Sequence, residues 1–143
     1  MRIHPLLKTV FAILIGIFVA FCVIFLAEGM STKLYPADIH DPTVEQIEEM
    51  IEKAPLVAMI IFLIGHALSS FFGSYIAARL APDPKKFVAG ISVGFVLFLG
   101  GIVLFVSIKH ALWLSISTCI SYLIFSLLAI YIAQRGHIFP END

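Results

Sequence analysis

Four long apolar stretches constrain this chain more than any other feature of its sequence. They cover residues 9–27, 56–78, 87–108 and 111–133 and contain no Asp, Glu, Lys or Arg. About 20 apolar residues in a helix cross a hydrocarbon core that is roughly 30 Å thick. Only 13% of the residues are charged and the mean hydropathy is +1.02, values that soluble domains do not reach. The sequence therefore predicts an all-α polytopic membrane protein, a four-transmembrane-helix antiparallel bundle that forms a single membrane domain over residues 1–143.

Basic residues predict how this bundle is oriented. Cytoplasmic segments of membrane proteins carry an excess of Lys and Arg. If the N-terminus lies inside, six basic residues are cytoplasmic and three are not; the six are Arg2, Lys8, Arg79, Lys85, Lys86 and Arg135. We therefore expect both termini in the cytoplasm and the first stretch to be a retained helix. The basic residues form no clustered face, so nucleic acid is not an expected partner.

The loop over residues 28–55 holds seven of the ten acidic residues and is expected outside the membrane. Asp41 can cap a helix and Pro42 suits a first helical position, so we predict a short amphipathic helix over about residues 42–54, packed on the mouth of the bundle. The loop also contains a candidate outer cation site, formed by Glu28, Asp38, His40 and Asp41. The alternative is a solvated connector, because this spacing matches no defined metal site.

Small residues at helical spacing predict where the helices touch. Membrane helices associate through close backbone contact at such residues, since lipid provides no hydrophobic drive between them. The predicted packing residues are Gly16, Gly65, Gly73, Gly90 and Gly94.

Polar side chains share one face on each of two predicted helices and form a candidate intramembrane cluster. Its members are His66, Ser69, Ser70, Thr118, Tyr122 and Ser126. We predict a neutral His66 near the midplane, bonded to Tyr122, Thr118 or Ser126, because an unbonded imidazole is costly there. The cluster could relay a proton or hold a substrate, or it could simply fix helix register.

Nothing in the sequence predicts a cofactor or a metal. The other four histidines lie at the ends or in loops, so a bis-histidine haem is not expected. Cys22 and Cys119 are single cysteines in apolar stretches and are expected to act as small hydrophobic residues.

Three short motifs carry a family resemblance. They are Tyr35-Pro36 with the acidic residues around it, residues 65–69 (Gly-His-Ala-Leu-Ser) leading to Arg79, and residues 109–113 (Lys-His-Ala-Leu-Trp). In their order the chain resembles an uncharacterised family of small four-helix bacterial inner-membrane proteins, although that family has Pro where this chain has Ala111. The resemblance implies the architecture and a bacterial inner membrane, and it transfers no site residue.

Three functional hypotheses follow. The first is a non-catalytic accessory or self-associating component, with a homo-oligomer or a membrane protein as partner, because the predicted spans lack carboxylates and basic groups. The second is a carrier or passage for a small apolar or weakly polar molecule, through a cleft between the second and fourth spans, with His66 in the pathway. The third is an intramembrane enzyme that uses His66 as base and Tyr122 as acid.

Overall fold

The computed structural model describes residues 4–34 and 42–135, and within these ranges the chain is helical, without strands. A 3-10 turn lies at Asp83–Lys85. The five α-helices are α1 (Pro5–Leu34), α2 (Val44–Glu52), α3 (Leu56–Leu80), α4 (Lys86–Ser107) and α5 (Leu112–Arg135). The predicted all-α bundle of four long helices with a short helix after the first is confirmed.

Helix α3 lies at the centre and packs against α1, α4 and α5. Helices α1 and α3 run antiparallel, with Gly16 opposite Gly73 and Ala27 opposite Gly65. A Cβ atom on Gly16 would lie 2.6 Å from the Gly73 carbonyl oxygen, so the two backbones are in direct contact. Only glycine permits this approach, as expected where membrane helices meet at small residues.

Helix α5 packs parallel to α3 and antiparallel to α4. Gly90 and Gly94 of α4 face Ile130 and Ser126 of α5, and a Cβ on either glycine would clash with those side chains. All five glycines that the sequence selects for packing therefore lie at helix contacts.

The two ends of the bundle differ in character. At the termini end lie the start of α1, the end of α5 and the turn at residues 81–85, where the nearly buried Lys86 pairs with Asp83 over 2.5 Å. At the opposite end, called here the α2 end, helix α2 approaches the turn between α4 and α5. There the Glu48 carboxylate accepts a hydrogen bond from the Lys109 backbone N–H over 2.9 Å.

Helix α2 begins two residues later than predicted, and Thr43 caps it instead of Asp41. The Thr43 hydroxyl accepts from the Gln46 backbone N–H, and the Gln46 side chain accepts from the Thr43 N–H, which forms a capping box. This reciprocal pair of hydrogen bonds satisfies two backbone N–H groups at once. It therefore favours a helix start after Thr43 over a start with Pro42 as the first helical residue. None of the residues of α2 is fully buried, and Ile51 lines a cavity at the mouth of the bundle.

All four long helices are long and apolar enough to cross a membrane. Large apolar side chains point outward from them, including Phe25 at 71% and Val106 at 83% exposure. Such an apolar surface is unfavourable in water and favourable in the hydrocarbon of a bilayer. The chain is a multi-pass membrane protein.

The helix that contains the first predicted span is longer than 9–27. It is apolar enough to cross a membrane over Pro5–Ser31, a range that includes Lys8 and Glu28. Glu28 directly follows the predicted stretch, and the contact of Ala27 with Gly65 places it beside the second predicted span.

Candidate functional site

His66 on α3 is the centre of the polar cluster. It is only 3% exposed, and its Nδ1 atom is hydrogen-bonded to the Tyr122 hydroxyl of α5. The two rings meet edge-on, with centroids 5.7 Å apart. Tyr122 is one of the three partners that the sequence allowed. Because the bond joins α3 to α5, it holds the imidazole in one orientation.

The surroundings of His66 favour one tautomer, because the Glu28 carboxylate 4.0 Å from Nε2 favours a proton on that nitrogen and leaves Nδ1 to accept from the Tyr122 hydroxyl. A tyrosine hydroxyl has one hydrogen to donate, and within the described ranges His66 Nδ1 is its one hydrogen-bond partner. Nδ1 then accepts, so a neutral His66 carries its proton on Nε2. That Nε2 atom is buried and has no hydrogen-bond partner among the described residues.

Glu28 of α1 faces this unpartnered nitrogen. Its Oε1 atom lies 4.0 Å from His66 Nε2, which is too long for a hydrogen bond. The contact between Ala27 and Gly65 places Glu28 and His66 at the same level of the bundle. This level is about 15 Å along the axis from the start of α3. The Glu28 side chain is 45% exposed, so the structure brings a carboxylate to the edge of the cluster.

A groove of about 200 Å³ contains both groups. Its floor, formed by His66, Tyr122, Leu97 and Gly101, is buried, whereas Phe21 and Val96 at its rim are exposed. The groove therefore opens sideways between α1 and α4, onto the surface that faces lipid. The remaining lining residues are Ile24, Glu28, Gly100 and Leu104. We call it the α1–α4 groove.

None of the serines of the cluster lines the groove, and Ser70 and Ser126 bond one helix to another. Ser69 donates to the His66 carbonyl of its own helix over 2.7 Å, and Ser70 donates to the Tyr122 carbonyl over 2.6 Å. Ser126 contacts both the Ser74 hydroxyl and the Gly90 carbonyl. The bonds of Ser70 and Ser74 close the interface between α3 and α5.

The α1–α4 groove does not coincide with the predicted cleft between the second and fourth spans. At the level of the cluster, Ser70 and Ser74 bond α3 to α5, whereas α1 and α4 make a lighter contact. A cavity between α3 and α5 is present closer to the α2 end.

Two residues of the site were not predicted as part of it. Ser74 follows Ser70 by one helical turn, and this spacing is a signal that could have identified it. Glu28 was assigned to a cation site, and only the register of α1 on α3 brings it to His66. Thr118 is fully buried, and its hydroxyl has no partner among the described residues.

The candidate outer cation site is not assembled by the described residues. Asp38, His40 and Asp41 lie outside the described ranges, and Glu28 faces His66. Within residues 4–34 and 42–135, no group of three or more His, Cys, Asp or Glu residues is placed to hold a metal ion.

A second, smaller cavity approaches the site from the α2 end. It has a volume of about 140 Å³ and is lined by residues that include Ile51, Phe62 and His110. The Phe62 ring lies 4.1 Å from the His66 ring, centroid to centroid. Phe62 therefore stands between this cavity and His66.

Comparison of the chain with models of protein families, with curated proteins and with solved structures gave no match.

Proposed function

We propose that this membrane protein binds a small, weakly polar molecule from the bilayer in the α1–α4 groove and carries it past His66. The observation that supports the proposal is the unpartnered Nε2 atom of His66, which is buried at the floor of the groove. A buried donor without a partner costs about 1–3 kcal/mol. A ligand that accepts its hydrogen bond recovers that free energy.

The shape of the groove agrees with a ligand that arrives through lipid. Its rim is apolar and exposed on the lateral surface of the bundle. Its polar side chains are those of Glu28, His66 and Tyr122. An apolar pocket with a few convergent polar groups is the usual form of a small-molecule site. The cavity beyond Phe62 supports a path toward the α2 end.

Glu28 also favours the carrier over a purely structural component. The accessory hypothesis depended on spans without a carboxylate, and Glu28, the residue after the first predicted stretch, lies 4.0 Å from His66 Nε2. Ionisable groups inside a membrane are expensive and usually mark a substrate or ion pathway. A histidine–tyrosine pair that only fixed helix register would need no carboxylate at the same level.

We further propose that the protein resides in a bacterial inner membrane with both termini in the cytoplasm. The excess of Lys and Arg at the termini end, including Lys85 and Arg79, supports the orientation, and the resemblance to bacterial inner-membrane proteins supports the location. A reporter domain that is active only in the cytoplasm should be active when fused to either terminus. A reporter that is active only outside the cytoplasm should be inactive at both.

The carrier proposal is tested by what the protein retains when it is extracted with its surrounding lipid. Mass spectrometry should detect a small molecule in stoichiometric amount with the wild-type protein. The variant Gly100→Leu should lose it at least tenfold, because the new side chain enters the groove while a Cβ at Gly100 meets no atom within 4 Å.

Gly29→Leu is the matched control. A Cβ on Gly29 also meets nothing within 4 Å, and Gly29 does not line the groove. This variant should retain the molecule. Equal content in wild type and Gly100→Leu would refute the carrier proposal, and a stoichiometric protein partner with an empty groove would support an accessory component.

A further inference from the structure

We propose that the ligand of the α1–α4 groove carries a hydroxyl group, which bridges His66 and Glu28. This inference rests on the proposed binding function and names the chemical class that the site selects. The ligand class is a lipophilic alcohol or phenol, with one hydroxyl on an apolar body.

The positions of the His66 Nε2 atom and the Glu28 carboxylate favour a hydroxyl group on the ligand. The Tyr122 hydroxyl donates to Nδ1, so His66 carries an Nε2–H donor that is buried beside the groove, on the side of Glu28. Glu28 presents a carboxylate oxygen 4.0 Å away. One ligand atom at normal hydrogen-bond distance from both groups must accept from the imidazole and donate to the carboxylate. A hydroxyl oxygen does both.

Carbonyl, ether and ammonium groups each satisfy only one side, and the amine or carboxylic acid that could satisfy both ionises near neutral pH, whereas a hydroxyl stays neutral. A carbonyl or ether oxygen accepts from Nε2–H but leaves Glu28 without a donor and places two acceptors together. An ammonium donates to Glu28 but has no lone pair for Nε2–H. Either choice leaves a polar atom unpaired in a site that faces lipid, at a cost of about tenfold or more in affinity.

The size and lining of the groove limit the body of the ligand. Its volume is about 200 Å³, and an apolar cavity of about 150 Å³ holds benzene. Apart from His66, Glu28 and the Tyr122 hydroxyl, the lining consists of apolar side chains and two glycines. The groove therefore accommodates a single ring or a short branched chain, and its open side permits a longer apolar tail to extend into lipid.

Three probes of similar shape test the hydroxyl directly. Phenol accepts and donates a hydrogen bond, anisole only accepts, and toluene does neither. Binding is measured in nanodiscs on protein labelled with 15N in its histidine rings, with each probe expressed as its concentration in the membrane. The His66 resonances are assigned by their loss in His66→Gln.

We expect phenol to bind about tenfold or more tightly than toluene and anisole, and to shift the Nε2 resonance of His66. Glu28→Leu should abolish the preference for phenol over anisole but keep part of the preference over toluene, because the carboxylate acceptor is lost and the Nε2–H donor remains. Glu28→Gln should retain part of the preference through its amide oxygen. Glu28 is half exposed, so both variants should fold.

The possible failures are distinguishable. If the three probes bind equally and Gly100→Leu blocks them all, the groove is a site but the hydroxyl inference is wrong. If anisole binds as tightly as phenol, the site requires only an acceptor and the bridge is wrong. If no probe binds or shifts His66, the hydroxyl inference is overturned and the binding function loses its support.

Discussion

The hydroxyls of Ser74 and Ser126 lie 2.8 Å apart across the interface of α3 and α5, and Ser126 also donates to the Gly90 carbonyl of α4 over 3.2 Å. Because Ser126 has only one hydrogen, Ser74 must donate to Ser126. One serine thus joins three helices, deep in the bundle and out of contact with lipid. This interface is closed at the level of the cluster, whereas α1 and α4 leave a groove between them.

Ser126→Ala should lower the free energy of unfolding by about 1 kcal/mol, since two interhelical hydrogen bonds contribute about 0.6 kcal/mol each in a membrane. Unfolding in mixed micelles at rising SDS fraction measures the change. Ser92→Ala is the control, because the Ser92 hydroxyl bonds only to Val88 of its own helix. Similar losses in both variants would show that the three-helix contact contributes nothing specific.

Gly73→Ala should destabilise the bundle by about 1–3 kcal/mol, the usual cost of overpacking. The added Cβ would lie 2.7 Å from the Gly16 carbonyl oxygen, and a backbone atom cannot rotate away. The same unfolding measurement applies. Gly29→Ala should be neutral or slightly stabilising, because its Cβ meets no atom within 4 Å and alanine favours the helix. Equal effects at the two glycines would contradict the close contact of α1 and α3.

Tyr122→Phe should release the His66 ring from its single tautomer. Without the hydroxyl, Nδ1 loses its donor, so both neutral tautomers become populated and the preference for phenol falls. The 15N resonances of the labelled ring report the change, because protonated and unprotonated ring nitrogens differ strongly in chemical shift. Tyr131→Phe is the control, since Tyr131 is exposed far along α5. A single tautomer that persists in Tyr122→Phe would mean that another group orients His66.

Glu48→Ala should loosen α2 without unfolding the bundle. Glu48 accepts from the Lys109 backbone N–H and lies 3.7 Å from the Lys109 ammonium, and such an exposed contact contributes about 0.5–1 kcal/mol. Amide hydrogen exchange over residues 44–52 should become roughly two- to fivefold faster.

Glu52→Ala removes a charge of the same sign from α2, and its exchange rates serve as the reference for Glu48→Ala. If the two variants exchange alike, the Glu48 contact does not hold α2 on the α4–α5 turn.

The polar cluster could be predicted in large part from the helical spacing of its residues. Residues three or four apart share a face, so the sequence placed His66 with Ser69 and Ser70, and Tyr122 with Ser126, before any contact was known. It also restricted the partner of His66 to three side chains, of which the structure selects Tyr122. The choice depends on the axial offset of α5 on α3, which spacing within one helix does not specify.

The sequence by itself determined the number of spanning helices, the solvent they require and the face that each turns inward, because these follow from the length, hydropathy and periodicity of single segments. Only the tertiary structure decided which helices separate enough to leave a groove, and that Glu28 lies beside His66. Both depend on the register between segments distant in the chain, here determined by backbone contact at Gly16 and Gly73 and by the serines that join α3 to α5.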